Sequence, residues 1–202
     1  RNRDLEYPDN FASAQVWDTF NDLPLAKLKG HWGHWRQNKG AMFNPKGNKV
    51  LTWGAAVLDN MEKVQKPSRV TVWNITDKKV LPKELPVDFH ISGAVFSPNV
   101  NSGLVLVWGN SAILWDRHEG RIVWTLPEPK YSINDVMFNH DGSRFLTRSH
   151  SGIKVWNISG CKLQPVELED SQNSSQAIFS PDETKVLVRE LDIVRIWDSL
   201  SN

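Results

Sequence analysis

Apolar and polar residues alternate over a five-residue phrase that recurs along the chain, each time closing on a tryptophan and a small polar residue. It reads Ala14-Gln15-Val16-Trp17-Asp18, Val70-Thr71-Val72-Trp73-Asn74, Ala112-Ile113-Leu114-Trp115-Asp116, Ile153-Lys154-Val155-Trp156-Asn157 and Val194-Arg195-Ile196-Trp197-Asp198. Alternation with a period of two is the signature of a β-strand. A second phrase lies upstream of each of the last four: Gly40-Ala41-Met42-Phe43, Gly93-Ala94-Val95-Phe96, Asp135-Val136-Met137-Phe138 and Gln176-Ala177-Ile178-Phe179. Each stops at a turn, such as Pro45-Lys46-Gly47-Asn48, His140-Asp141-Gly142-Ser143 or Pro181-Asp182-Glu183-Thr184. Asp-Gly, and Pro followed by polar residues, are hairpin signals. A further strand is predicted after each turn, at 49–53, 104–108, 144–148 and 185–189. These runs are rich in Val and Leu, as suits strands covered on both faces. A fourth, weaker strand is predicted after each tryptophan phrase except the last, at 25–29, 80–85, 122–126 and 163–168.

The two phrases keep phase. Successive phrase tryptophans are 56, 42, 41 and 41 residues apart, and the phrase phenylalanines 53, 42 and 41. A period in the low forties, with one Trp-Asp or Trp-Asn in each, resembles the WD40 repeat over essentially the whole chain beyond about residue 14. The resemblance implies an all-β fold, a WD40-type β-propeller of four-stranded antiparallel blades with the Trp phrase as third strand. It also implies a hydrogen-bonded network in each blade, linking a Gly-His pair, a Ser or Thr of the second strand, an Asp of the following turn and the Trp. The pieces here are Gly30-His31 with Thr52 and Trp73, Thr147 with Trp156, and Asp192 with Trp197, whereas Val188 stands where a hydroxyl is expected. Neighbouring blades would bury one another's faces, with the Trp ring between them and its N–H in need of a partner.

The register gives about four to five blades. Residues 1–18 end a partial first blade, and 19–202 hold the blades whose third-strand tryptophans are Trp73, Trp115, Trp156 and Trp197, the last without a fourth strand. The expectation is an incomplete ring, a segment of a larger propeller within a longer polypeptide. A four-bladed ring and closure between two copies remain open. The turn at 45–48 and Val50-Leu51-Thr52-Trp53 also resemble divergent bacterial arrays attached to kinases, NTPases or proteases.

Composition narrows the function. The formal net charge is +1 with mixed signs along the chain, which provides no concentrated basic field for nucleic acid or an anionic membrane. Cys161 is the only cysteine, so an internal disulfide is ruled out and a reducing, cytoplasmic setting is expected. No apolar run reaches the roughly 18–20 residues that span a bilayer. The nucleophile-elbow, P-loop and H-E-x-x-H patterns do not occur. No cofactor or metal is expected, and His31 with His34 would lack further zinc ligands.

One period is longer than the others. Phrase Phe to phrase Trp takes 30 residues in the first complete repeat but 19, 18 and 18 later, and Trp to Phe takes 26 into that repeat but 23 elsewhere. The excess falls in 54–69 and around His31-Trp32-Gly33-His34-Trp35-Arg36, loops that leave an antiparallel sheet at the same end. Insertions into repeats gather on binding faces, and Trp and Arg dominate interface hot spots. The predicted partner-binding set is His31, Trp32, His34, Trp35 and Arg36, with Tyr131, Arg148, His150, Arg189 and Glu190 at the same end of later repeats. The alternative for the tryptophans is packing under the long loop, for His31 the family network, and for the later residues a solvated rim. The expected function is a non-catalytic scaffold for a protein or peptide, with further blades of the parent protein or a second copy of the chain as other neighbours. The second reading is a sensor or regulatory domain of a signalling enzyme.

Overall fold

A computed structural model describes residues 14–28, 38–54, 57–58, 64–66, 68–76, 82–126, 130–158, 163, 165–172 and 174–199. The described residues form antiparallel strands without a helix. The chain divides into two compact units, residues 1–43 with 47–89 and residues 44–46 with 90–202.

In the first unit, β1 (Ala14–Asp18) pairs with β2 (Leu23–Leu28). Next in the chain are β3 (Asn38–Phe43), β4 (Lys49–Gly54), a small hairpin of β5 (Val57–Leu58) and β6 (Val64–Lys66), then β7 (Ser68–Asn74) and β8 (Pro82–Val87). Strands β3, β4, β7 and β8 form a four-stranded sheet in that order, and β5 pairs with β6. Val16 and Leu28 pack on Val50 and Trp73, so one face of the β1–β2 pair covers the tryptophan phrase of the next sheet.

The second unit repeats the plan. β9 (Ile91–Phe96), β10 (Leu104–Gly109), β11 (Ala112–Asp116) and β12 (Arg121–Thr125) form one sheet. β13 (Ile133–Phe138), β14 (Arg144–Ser149), β15 (Gly152–Asn157) and β16 (Pro165–Leu168) form the next. β17 (Gln176–Phe179), β18 (Lys185–Arg189) and β19 (Val194–Asp198) form a three-stranded sheet. The second and third strands of each four-stranded sheet are the most deeply covered, because each has a paired neighbour on both edges and side chains packed on both faces.

Adjacent sheets bury facing sides. Leu106, Ala112 and Leu114 of one meet Val136, Phe145 and Trp156 of the next. The Trp124 ring lies 4.8 Å from that of Trp156, edge to face, a favourable arrangement of aromatic quadrupoles. On the other side, Leu146, Ile153 and Val155 meet Ala177, Val186 and Val188. Trp17 departs from the expectation of an inter-sheet tryptophan. It is 53% exposed, because no described residue covers that face of the β1–β2 pair.

The tryptophan N–H groups fall into two classes. Trp73 Nε1 donates to Thr52 Oγ1 at 2.8 Å, and Trp156 Nε1 to Thr147 Oγ1 at 3.0 Å. The positions matching those threonines are Val107 and Val188, opposite Ile113 and Arg195 as Thr52 and Thr147 are opposite Thr71 and Lys154. Trp115 Nε1 and Trp197 Nε1 accordingly have no hydrogen-bond partner among the described residues.

The residue after the tryptophan closes the next turn. Asp18 Oδ1 accepts from the Phe20 N–H, Asn74 Oδ1 from Thr76 and Asp116 Oδ1 from His118. A carboxylate or amide oxygen two residues upstream of a turn N–H is the Asx-turn.

Candidate functional site

Connections between sheets and turns between second and third strands share one end of each sheet. In the second unit this end carries Asn110, residues 130–132, His150 and Ser151, 169–172, 174–175 and 190–193. Backbone and side-chain bonds stitch neighbouring segments together there. Ser132 Oγ lies 3.3 Å from Asn110 Oδ1, joining the segment that leads into β13 to the preceding β10–β11 turn.

Tyr131 and His150 meet across this end, with ring centroids 5.4 Å apart and the rings steeply inclined. Lys130 Nζ lies 5.4 Å from the centre of the Tyr131 ring, within cation–π range. Both aromatic residues are exposed. His150 is held by a short turn in which Ser149 Oγ accepts from the Ser151 N–H at 3.2 Å and lies 2.7 Å from the Ser151 hydroxyl. The pair thus presents an aromatic edge, an imidazole and an ammonium group on a fixed backbone.

The remaining predicted residues of this unit sit differently. The Arg148 side chain is mostly covered: its guanidinium donates to the Ser174 carbonyl at 3.1 Å and stands 3.9 Å from Asp135. It therefore ties the segment before β17 to β14. Glu190 is largely covered beside Arg195 at 3.7 Å. Arg189 is exposed, and its carbonyl accepts from the N–H and hydroxyl of Ser175 at 2.8 and 3.1 Å. His31, Trp32, His34, Trp35 and Arg36 lie outside the described residues, as does Cys161.

A polar recess of about 280 Å³ opens beside the same end, lined by Ser151, Lys154, Glu167, Glu169, Asp170 and Gln172 among others. Lys154 and Glu167 pair across it at 2.6 Å, leaving Glu169 and Asp170 as its remaining charges. Among the described residues no group of three His, Cys, Asp or Glu is placed to hold a metal ion. No described helix is long and apolar enough to cross a membrane.

No family model matches the chain, and no curated protein matches it. The site therefore rests on its geometry and on the repeat pattern.

Sequence reasoning placed Tyr131 and His150 at the same end but did not foresee their contact. Lys130 was missed; an exposed cation next to a loop tyrosine was the available signal.

Proposed function

We propose that the chain is a run of blades from a WD40-type β-propeller and acts as a non-catalytic scaffold. It takes a protein or peptide partner on the end that carries Tyr131 and His150. The observation that supports this most directly is the exposed Tyr131–His150 pair with Lys130 beside it. Aromatic and cationic groups on a rigid scaffold are what interface hot spots use. The in-phase Trp and Phe phrases and the indole-to-threonine bonds support the WD40 reading. The lone cysteine supports a reducing, cytoplasmic setting.

Selection of a displayed random-peptide library against the chain tests the reading. The expectation is an enriched peptide class whose binding falls at least about tenfold on Tyr131→Ala/His150→Ala, while the melting temperature stays within the small range of surface substitutions. Peptides that bind this double variant and Arg189→Ala as well as the parent would remove this end from consideration. Trp32→Ala/Trp35→Ala carries the same test to the long-loop repeat. Loss of capture without loss of stability is expected; a collapse of stability would show that these tryptophans are core.

A further inference from the structure

The end that carries Tyr131 and His150 is divided by charge. Residues 109–111, 130–134 and 149–152 belong to the two neighbouring sheets that meet there, β9 to β12 and β13 to β16. They include Lys130 and His150 and no carboxylate. Both sheets have all four strands, so these segments are exposed at the end of complete sheets. Asp135, which follows them in sequence, is balanced within its own sheet. Its Oδ1 accepts from the Val136 N–H at 2.9 Å, and its Oδ2 stands 3.9 Å from the Arg148 guanidinium. The other acids of this end, Glu169, Asp170, Glu190 and Asp192, lie on the β16–β17 connection and the β18–β19 turn. Arg195 stands beside two of them, Asp170 and Glu190.

The exposed groups on the acid-free side are mostly hydrogen-bond donors. The Lys130 ammonium has N–H bonds and no lone pair. It lies over the Tyr131 ring, and no carboxylate among the described residues pairs with it. Asn110 has its side-chain oxygen taken by the Ser132 hydroxyl at 3.3 Å, so its amide N–H bonds are what it has left to offer. The Tyr131 hydroxyl and an imidazole N–H of His150 add to the set. Tyr131 touches both Lys130 and His150, and its neighbour Ser132 holds Asn110, so these donors share one patch. A carboxylate only accepts, and its bonds to an ammonium are charge-assisted and stronger than neutral ones. It complements this patch both in charge and in hydrogen bonding.

We propose that the Tyr131–His150 end recognises an acidic segment of a protein partner. The carboxylate of one aspartate or glutamate side chain bonds Lys130, with Asn110 and His150 as further donors. This rests on the reading of that end as the binding end and adds the chemistry of what binds.

The test uses the whole chain and peptides selected on it from a displayed random library, resynthesised with an amidated C-terminus and a fluorescent label and followed by anisotropy. An enriched class with a shared aspartate or glutamate is expected. Changing that acid to its amide weakens binding about threefold, and Lys130→Glu, which sets like charges together, weakens it by up to about tenfold. A peptide with lysine in place of the acid binds the Lys130→Glu chain better than the parent. Lys185→Glu, the same change in charge at the other end of its sheet, leaves binding within about twofold because salt screens distant charges. An enriched class that needs Tyr131 and His150 but shares no acid, or is indifferent to Lys130→Glu, overturns the acidic specificity and leaves the scaffold reading standing. Loss of binding on amidation assigns the patch to a C-terminal carboxylate and also overturns it. If no class is enriched, or Tyr131→Ala/His150→Ala changes nothing, both readings fall.

Discussion

Replacing Thr147 by Val tests whether the indole-to-threonine bond holds its sheet together. Thr147 and Trp156 are both buried, and the bond between them is 3.0 Å long. The substitution keeps the shape but removes the acceptor, so the indole N–H is left buried without a partner. Such an orphaned donor costs about 1–3 kcal/mol, more than the bond's net contribution, because the group was stripped of water on folding. Relief from burying the hydroxyl itself offsets part of this, which puts the expected loss at about 1–2 kcal/mol. The reciprocal change, Val107→Thr, gives the unpartnered Trp115 Nε1 an acceptor at the matching position. A hydroxyl buried without a donor costs about 1–3 kcal/mol, and a new indole bond of about 1 kcal/mol offsets much of that. Val107→Thr is therefore expected to be near neutral, while Val155→Thr, which faces aliphatic neighbours, pays the full cost. Urea denaturation followed by far-ultraviolet circular dichroism gives the comparison through shifts in midpoint at constant slope. An unchanged or raised midpoint for Thr147→Val refutes the argument, as does equal loss for Val107→Thr and Val155→Thr.

Trp156→Ala empties the space between two sheets and is expected to cost about 3–5 kcal/mol, read in the same denaturation experiment; a neutral outcome overturns the packing described. Gly93→Ala places a Cβ 2.2 Å from the Trp108 ring, and an overpacking loss of about 1–3 kcal/mol is expected. Glu183 adopts φ +62°, where the matching turn positions of two other sheets hold Gly47 and Gly142. Its carboxylate accepts from Asn139 and from the Asp141 N–H, each at 3.0 Å. Glu183→Ala should therefore be less stable than Glu183→Gly by about 1 kcal/mol, since both lose those bonds but only alanine keeps the strained backbone. Asp182 is held at about 2 by the Ser180 hydroxyl and the Thr184 N–H, and Asp141 is lowered by Ser143. Both folded-state values lie below the ordinary 3.8, so their stabilisation is present above that value and is lost as pH falls below it, for Asp182 towards about 2. An acid titration of the unfolding midpoint should show that loss, and Asp182→Asn should flatten it.

The strands were legible because each repeat carries two bulky markers in fixed phase. The Phe phrase and Trp phrase located first, second and third strands to within one or two residues of those observed. The fourth strands came within two residues as well, but 80–85 was shifted as a whole against the observed Pro82–Val87, since its residues alternate weakly and Pro82 and Pro86 blur the period. The β5–β6 hairpin was missed, being two and three residues long inside a loop without a turn signal. Compensation across paired strands was also hidden until the register was known. Gly40 and Gly93 lie opposite Trp53 and Trp108, whereas Asp135 and Gln176 lie opposite Arg148 and Arg189. The first-strand residue thus changes with the size and charge of its partner. At the site, Tyr131 and His150 belong to different loops, and no periodicity predicts a contact between loops. That Arg148 spends its guanidinium on the Ser174 carbonyl depends on neighbouring sheets packing closely, which sequence spacing does not encode.

The uneven distribution of indole bonds has a bearing on how the second unit opens. In a stack of similar layers, local unfolding begins where a layer has fewest ties and spreads to its neighbour. The sheet of Trp156 has its indole bond and a neighbour on both faces, while the sheet of Trp197 has, among the described residues, neither the bond nor a fourth strand. Amide protons of β18 and β19 should therefore exchange with solvent well before those of β14 and β15. Anything that binds that sheet would slow its exchange first, making the least protected layer of the stack also its most responsive one.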